Sequence, residues 1–347
     1  MKMRIDYSKP SIDIRKETLQ QTESDRELYE RQIAISQTLK SCDDRKSCVL
    51  CNTDLTGEGF IHRRIDFICC GVCGHIQTKV SPPKNYPFSV DGGTSFNKIY
   101  PQLSLSEYKD RKKRIYSPKL EWIVSCLKDM GYDEEQLKEL PWIELGCGAG
   151  YFLSALKDFG LRKFYGVDAD ETLISNANEF LNHKAAFKIE GGLEDGLVLF
   201  PADIYAAFFV LEHLESPYYF FQALSKLKKN TVFAFSVPVF GFSCLVEGLF
   251  ENNYARNLDC VVHTQLFTDE SIAYAMKMAG YEIRAQWIFG QDSEDLIRIF
   301  VNNIKKNLPL KLQGMFREKL LLMTDGMQGC LDKLHFSDQR HIIAIKN

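Results

Sequence analysis

The 347-residue sequence has no long apolar run: its longest, Ile204 to Leu211, spans eight residues, far short of the roughly 20 that a bilayer-spanning helix needs. No membrane span is expected. A basic excess is missing too. With 43 Lys and Arg against 46 Asp and Glu, the formal net charge is −3, so nothing draws the chain to a phosphate backbone regardless of sequence, and nucleic acid is the weaker partner. Met1–Pro10 is mixed in charge and no apolar h-region follows it, which sets the expectation of a cytoplasmic protein without a secretory signal. There is no internal repeat and no low-complexity tract.

What is present suits a globular chain. Hydrophobic residues make up 45% and charged residues 26%, enough to bury a sizeable core. At roughly 150 residues per domain, the length suggests one large domain and one or two smaller modules. The eleven cysteines sit in a long chain without a signal peptide, where thiols or metal ligands are the better reading than disulfides.

Composition divides the chain. Residues 1–47 are polar, with a helix expected from about Arg15 to Leu39 whose thin apolar stripe could pack on the body or pair with a second copy in a homodimer. Residues 48–80 are short β-type runs punctuated by Cys and Gly. Residues 81–117 form a linker and helical lid, with a loop over 84–105 and a helix resuming near Ser106 and running to about Met130. From Pro141, apolar strands alternate with helical segments: Trp142–Leu145, Tyr151–Phe159, Lys163–Val167, Glu171–Leu181, Ile204–Val210, Phe220–Leu227, Thr231–Ser236, Asp269–Ala279 and Tyr281–Phe289. That rhythm predicts an α/β fold with a mostly parallel sheet covered on both faces, over 118–300. Residues 301–347 form a C-terminal extension, with a helix over Leu310–Leu322 and a last strand over Ile342–Ile345.

Cys48-Val-Leu-Cys51 and Cys70-Gly-Val-Cys73 are two C-x2-C pairs separated by 18 residues, the spacing of a four-cysteine zinc ribbon. Each knuckle aims two thiolates at one point, and four thiolates close a tetrahedral site with no position left for substrate. The expected ion is structural Zn2+. Cys69 and His75 could compete as ligands, although neither keeps the paired spacing.

Glu144-Leu-Gly146-Cys-Gly148-Ala-Gly150 follows an apolar strand and precedes a helix. Glycine at alternate positions lets a ligand approach the backbone closely. At Asp168, 24 residues beyond Glu144, the next strand ends in a carboxylate whose natural partner is a ribose diol. The loop has neither dinucleotide spacing nor a P-loop Lys-Ser/Thr.

An acidic residue followed by G-x-G-x-G resembles the first motif of the class I S-adenosylmethionine-dependent methyltransferases. The resemblance covers residues 118–300 and implies their Rossmann-like sheet, here with an N-terminal zinc ribbon and a C-terminal α/β extension. It implies S-adenosyl-L-methionine as cofactor. Glu144 would then sit near the methionine end, Gly146, Gly148 and Gly150 would line the cofactor, and Asp168 with Ala169 would meet the ribose. Leu193 and Glu194 would lie at the adenine, and Phe209 would close the fourth strand beside it. Leu211-Glu212-His213-Leu214 looks like the segment that follows this strand in many small-molecule methyltransferases. Asp168-Ala169-Asp170 offers two carboxylates, of which Asp168 is favoured because it ends the strand.

Histidine suits proton transfer near neutral pH. His213 at the end of the fourth strand is the first candidate catalytic residue, with His263, before the helix at Asp269, the second. Glu212 is a third candidate. Each has a plainer reading: the histidines could brace turns, and Glu212 could be a solvated carboxylate. Zinc module, core and extension together resemble the sugar C-methyltransferases that act on nucleotide-linked deoxy-keto sugars, which implies a small-molecule acceptor of that kind. Val262 stands where that family's motif has glutamate. Lys109–Arg114 carries five positive charges and one negative and could grip a phosphate or be a solvated face. Tyr100, Tyr108 and Tyr116 could line the acceptor pocket. Two other functions fit the pattern: RNA base methylation, and a non-catalytic zinc-ribbon adaptor.

Overall fold

A computed structural model of the protein describes residues 2–10, 13, 25–83, 104–260 and 263–347. Two sheets organise them. The strands in chain order are β1 (Arg4–Tyr7), β2 (Gly57–His62), β3 (Ile65–Cys70), β4 (Ile76–Thr78), β5 (Trp142–Leu145), β6 (Phe164–Asp168), β7 (Ala186–Lys188), β8 (Ile204–Phe208), β9 (Val232–Pro238), β10 (Gln265–Leu266), β11 (Tyr281–Ile288) and β12 (Gln339–Lys346).

The larger sheet runs in the order β1-β11-β12-β9-β8-β5-β6-β7. Strands β7, β6, β5, β8 and β9 are parallel neighbours, and β12 runs antiparallel to both β9 and β11. Helices cover both faces, which is why β5 and β9 are buried along their whole length rather than alternating. One apolar cluster, including Leu145, Phe220, Phe233 and Ile342, fills one face. A second, including Trp122, Ile123, Trp142, Phe152 and Leu153, fills the other. The result is a Rossmann-like α/β fold, and its sheet order reverses at β5, with β6 on one side and β8 on the other. In such sheets ligands collect beyond the carboxyl ends of the strands at the reversal.

Local chemistry sets the boundaries. Asp170 caps the helix Glu171–Leu181 by accepting from the backbone N–H groups of Thr172 and Leu173. Thr268 and Ser271 form a capping box on Asp269–Ala279, which ends at left-handed Gly280, as its sequence predicts. The smaller sheet, in the order β10-β4-β3-β2, is the ribbon over residues 48–80 plus one strand from the core. Gln265 pairs with Gln77 and Leu266 with Ile76, so the module is fused to the larger domain rather than tethered to it.

Several expectations are amended. Residues 4–7 form β1, which extends the main sheet by pairing with β11; a four-residue edge strand carries no periodicity to detect. The described part of the N-terminal helix is Asp25–Leu39, and most of its expected first turns, like the loop at 84–103 with Tyr100, lie outside the described residues. The C-terminal helix continues from Leu310 to Lys333, because its buried face at Thr324, Gln328, Leu331 and Asp332 has helical spacing but polar residues. The strand expected to reach Val210 stops at Phe208, where Phe209 takes a positive φ of 54° and leaves the β region. The last strand lies between β11 and β9, so the C-terminal extension completes the core sheet. Among the described residues no helix is long and apolar enough to cross a membrane.

A buried ionic network fixes β12. The Arg256 guanidinium reaches Asp295 at 2.7 Å and also bonds Asp338, and both carboxylates are essentially inaccessible. The Asp338 carbonyl accepts from the N–H of Val239, just beyond β9. Arg256→Met leaves Asp338 buried without its cation and Asp295 with Arg298 alone at 3.5 Å, and is expected to cost about 3–5 kcal/mol, read as a fall in the urea midpoint at unchanged m-value.

Candidate functional site

The loop after β5 is built on left-handed backbone: φ is +72° at Gly146, +49° at Gly148 and +75° at Gly150. Two of these glycines also make room for packing. A Cβ on Gly146 would stand 2.6 Å from Val210 Cγ2, and one on Gly150 2.8 Å from the Ala177 Cβ. At Gly148 a Cβ would meet nothing within 4 Å, so space lies in front of that backbone. The Tyr108 hydroxyl donates to the Gly150 carbonyl at 2.8 Å while its ring stacks on Tyr151 and Phe180. Tyr108 thus braces the loop from behind.

Asp168 holds the loop from the neighbouring strand. Its Oδ2 accepts from the Gly148 N–H at 2.8 Å and its Oδ1 from the Asp170 N–H at 3.0 Å. Burial raises its pKa above the usual carboxylate value, and those backbone bonds oppose the shift. Each oxygen keeps a further lone pair, which suits a pair of hydroxyl donors. Asp170 is occupied in capping its helix, which supports Asp168 over Asp170 as the sugar-facing carboxylate. Behind the loop, Glu144 is buried and its Oε2 has no partner. Burial pushes this carboxyl well above the ordinary range, against the pull of nearby Lys119. Ala169 is exposed beside Asp168; Leu193 is buried and Glu194 half-buried in the turn after β7. An open backbone cradle, an acceptor pair and an orphaned carboxyl oxygen fit a nucleoside carrying a cationic end.

Beyond β8, the turn Leu211–His213 brings the three acid–base candidates together. The ring centroids of His213 and His263 are 4.9 Å apart, and His213 Nε2 lies 4.0 Å from Glu212 Oε1. Ligand atoms of Glu212, His213 and His263 all lie within 4.8 Å of one another. His263 Nδ1 faces the carbonyls of Asn257 at 3.0 Å and Arg256 at 3.2 Å, so it carries the ring hydrogen and leaves Nε2 as the lone-pair nitrogen. Burial holds this imidazole down at about 4, neutral at physiological pH. Glu212, read from sequence as solvated, is instead almost fully buried, and burial lifts its carboxyl to about 8.

Lys119 was not anticipated. It is buried, 4.6 Å over the ring of Phe209 and 4.9 Å over that of Phe208, and burial drives it down to about 7. The signal was present: Lys119 lies four residues before Ile123 and three before Trp122, on the apolar stripe of its helix. In the neighbouring basic run three of the five cations are held within the chain, while Lys109 and Lys113 are exposed. Lys112 pairs with Asp158, Arg114 with Asp110, and Arg111 lies over the Tyr151 ring.

The four cysteines form a second centre. Cys48 and Cys73 Sγ are 3.6 Å apart, and Cys51 and Cys70 Sγ 3.8 Å, close to the roughly 3.8 Å edge of a tetrahedron with metal–sulfur bonds of about 2.3 Å. All four are buried. Cys69 bonds the Gly74 carbonyl and His75 bonds Gln265, so neither competes for the centre. The ribbon supports the His–His–Glu turn directly. The Val49 carbonyl, between two of the cysteines, accepts from Tyr218 N–H and Ser216 Oγ, and Gln265 joins His75 to the Leu214 carbonyl. Cys70→Ser is expected to lower zinc content from about one ion per chain toward none and to lower the melting temperature, checked by atomic emission and calorimetry.

Residues 109–286, just over half of the chain, match the family described as a methyltransferase domain. No curated protein sequence matches. Among solved structures, magnesium protoporphyrin IX methyltransferase from Synechocystis PCC 6803, with bound SAH, is 15% identical with a TM-score of 0.43, over 75% of this chain and 96% of that one. A SAM-dependent methyltransferase from Archaeoglobus fulgidus is 17% identical with a TM-score of 0.37, over 62% and 95%.

Proposed function

Because the chain belongs to the methyltransferase-domain family, we propose that it is an enzyme transferring a methyl group from S-adenosyl-L-methionine to a small-molecule acceptor. The observation that carries the cofactor is the Asp168 carboxylate, bonded to the Gly148 N–H at the reversal of strand order beside an open glycine cradle. Bound there, S-adenosylmethionine supplies a methyl carbon activated by its positive sulfur.

In this reading Asp168 accepts from the ribose hydroxyls beside Ala169, and Gly146, Gly148 and Gly150 admit the nucleoside against the backbone. Leu193 gives the adenine an apolar wall with Glu194 at its edge. Glu144 offers its orphaned oxygen to the amino-acid end, and Phe209, held at positive φ, shields the reacting centre from water. Glu212, His213 and His263 surround the acceptor and assist the loss of its proton. A histidine after the fourth strand with another before a later helix also fits acceptors of the nucleotide-linked keto-sugar class. Zn2+ in the four-cysteine centre is structural, since four thiolates close its shell. RNA methylation gains little from the basic run, three of whose five cations are engaged within the chain.

Titration calorimetry and transfer assays test the reading. Asp168→Ala removes a charge-assisted acceptor and is expected to weaken S-adenosylmethionine binding about 10–100-fold without unfolding the protein. His213→Ala is expected to leave that affinity essentially unchanged and slow transfer about 10²–10⁴-fold; full activity removes His213 from the mechanism. Mass spectrometry of a metabolite pool incubated with isotopically labelled cofactor identifies the acceptor by its gain of one methyl.

A further inference from the structure

We propose that Glu212, His213 and His263 form a binding site for a divalent first-row metal ion, distinct from the four-cysteine centre and open to the acceptor. The inference deepens the methyl-transfer reading and rests on it for its chemistry, although the binding of the ion does not.

Three features converge. The donor set is two imidazoles and one carboxylate, whose ligand atoms lie within 4.8 Å of one another. The two rings lie 4.9 Å apart between centroids and nearly parallel, 21° between planes, so rotation of the partly exposed His213 side chain is what turns both lone pairs onto one ion. His263 already has the outer partner that ligating histidines use, because its Nδ1 side is fixed on the Asn257 and Arg256 carbonyls and Nε2 is the nitrogen left to bind. Finally, the Glu212 side chain is 1% exposed and its Oε2 is buried without a hydrogen-bond partner. Such a group is costly to bury unless something neutralises it. A cation does so, and closing the donors to bonding distance requires movements of only about 1 Å per pair.

Three protein ligands leave coordination positions for substrate, unlike the closed cysteine site. The 25% exposure of His213 marks the side from which an acceptor enters. Mixed imidazole and carboxylate donors suit Mn2+, Fe2+, Co2+ or Zn2+ better than Mg2+ or Ca2+. The acceptor class this implies carries an oxygen donor, a hydroxyl or an enolisable carbonyl, at or next to the atom methylated. Coordination acidifies that group. Its proton leaves to water, the electron pair released on the acceptor forms the bond to the methyl carbon, and the carbon–sulfur bond breaks with its pair going to sulfur. Ligated imidazoles then position the ion and do not take the proton themselves.

The test is Co2+ titration of protein brought to one zinc per chain by mild chelation, its zinc content verified by atomic emission, and followed by calorimetry and visible absorption. Co2+ binds nitrogen and sulfur sites less tightly than Zn2+, so the cysteine centre keeps its zinc, and the absence of sulfur-to-cobalt charge-transfer bands verifies this. The expected result is one Co2+ bound per chain, with affinity falling at least about tenfold in each of Glu212→Gln, His213→Gln and His263→Gln. S-adenosylmethionine affinity should stay within about twofold, because these residues lie outside the ribose and adenine contacts. Should either buried-site variant fail to fold, partly exposed His213→Gln carries the comparison. No Co2+ bound beyond the zinc already present overturns the proposal, as does Co2+ binding that none of the folded variants weakens. Loss of S-adenosylmethionine binding by the wild type with Co2+ binding intact would instead overturn the methyl-transfer reading and leave the metal site standing.

Discussion

The pairing of β10 with β4 is the constraint on which the active end of this molecule depends. Two residues of the core, Gln265 and Leu266, continue the ribbon's sheet, and the ribbon's own geometry is set by four buried sulfur atoms. His263 stands two positions before Gln265, whose side chain bridges His75 to the turn that carries Glu212 and His213. The small module is therefore a buttress. It fixes the separation of two loops that the main sheet alone leaves on different connections, and a cluster held by two rigid sheets keeps its geometry better than one held by loops.

On the cofactor side the same principle works through the sheet reversal. β5 and β6 end side by side, so the N–H of Gly148 and the carboxylate of Asp168 meet across the gap. Val210, from β8's exit, packs where Gly146 lacks a side chain. The Phe209 backbone is bent out of the strand between them, which turns the Glu212–His213 segment toward the ribbon. A strained, bulky residue persists at such a point only when its surroundings over-determine it. Here the surroundings include its N–H bond to the Ser236 carbonyl and the Lys119 ammonium over its ring.

Much of this was legible in one dimension. The C-x2-C pairs marked the four cysteines that the fold brings together, and the alternate glycines with an acid at the next strand's tip marked the loop and carboxylate that meet. Both signals are local, because a knuckle or a tight turn demands particular residues at fixed spacing. The helix cap at Thr268 was readable for the same reason. Less visible were features whose logic is not local. β1 is four residues at an edge. The buried face of the C-terminal helix is Thr324, Gln328 and Asp332, polar residues that read as surface. Glu212 likewise reads as solvated until the ribbon and the loop at His263 close over it.

The sequence by itself determined the type of sheet, the cysteine cluster and the glycine–carboxylate pair, since each follows from the conformational needs of a few neighbouring residues. Only the tertiary structure decided that His213 and His263, fifty positions apart in the chain, stack beside a buried glutamate, and that a lysine on a helix's apolar stripe lies under the same roof. Those contacts join segments from β8, the β10 connection and the helix before β5. Their spacing is a property of sheet order and of the ribbon's docking, and burial then reverses the charge preferences that each side chain has in water.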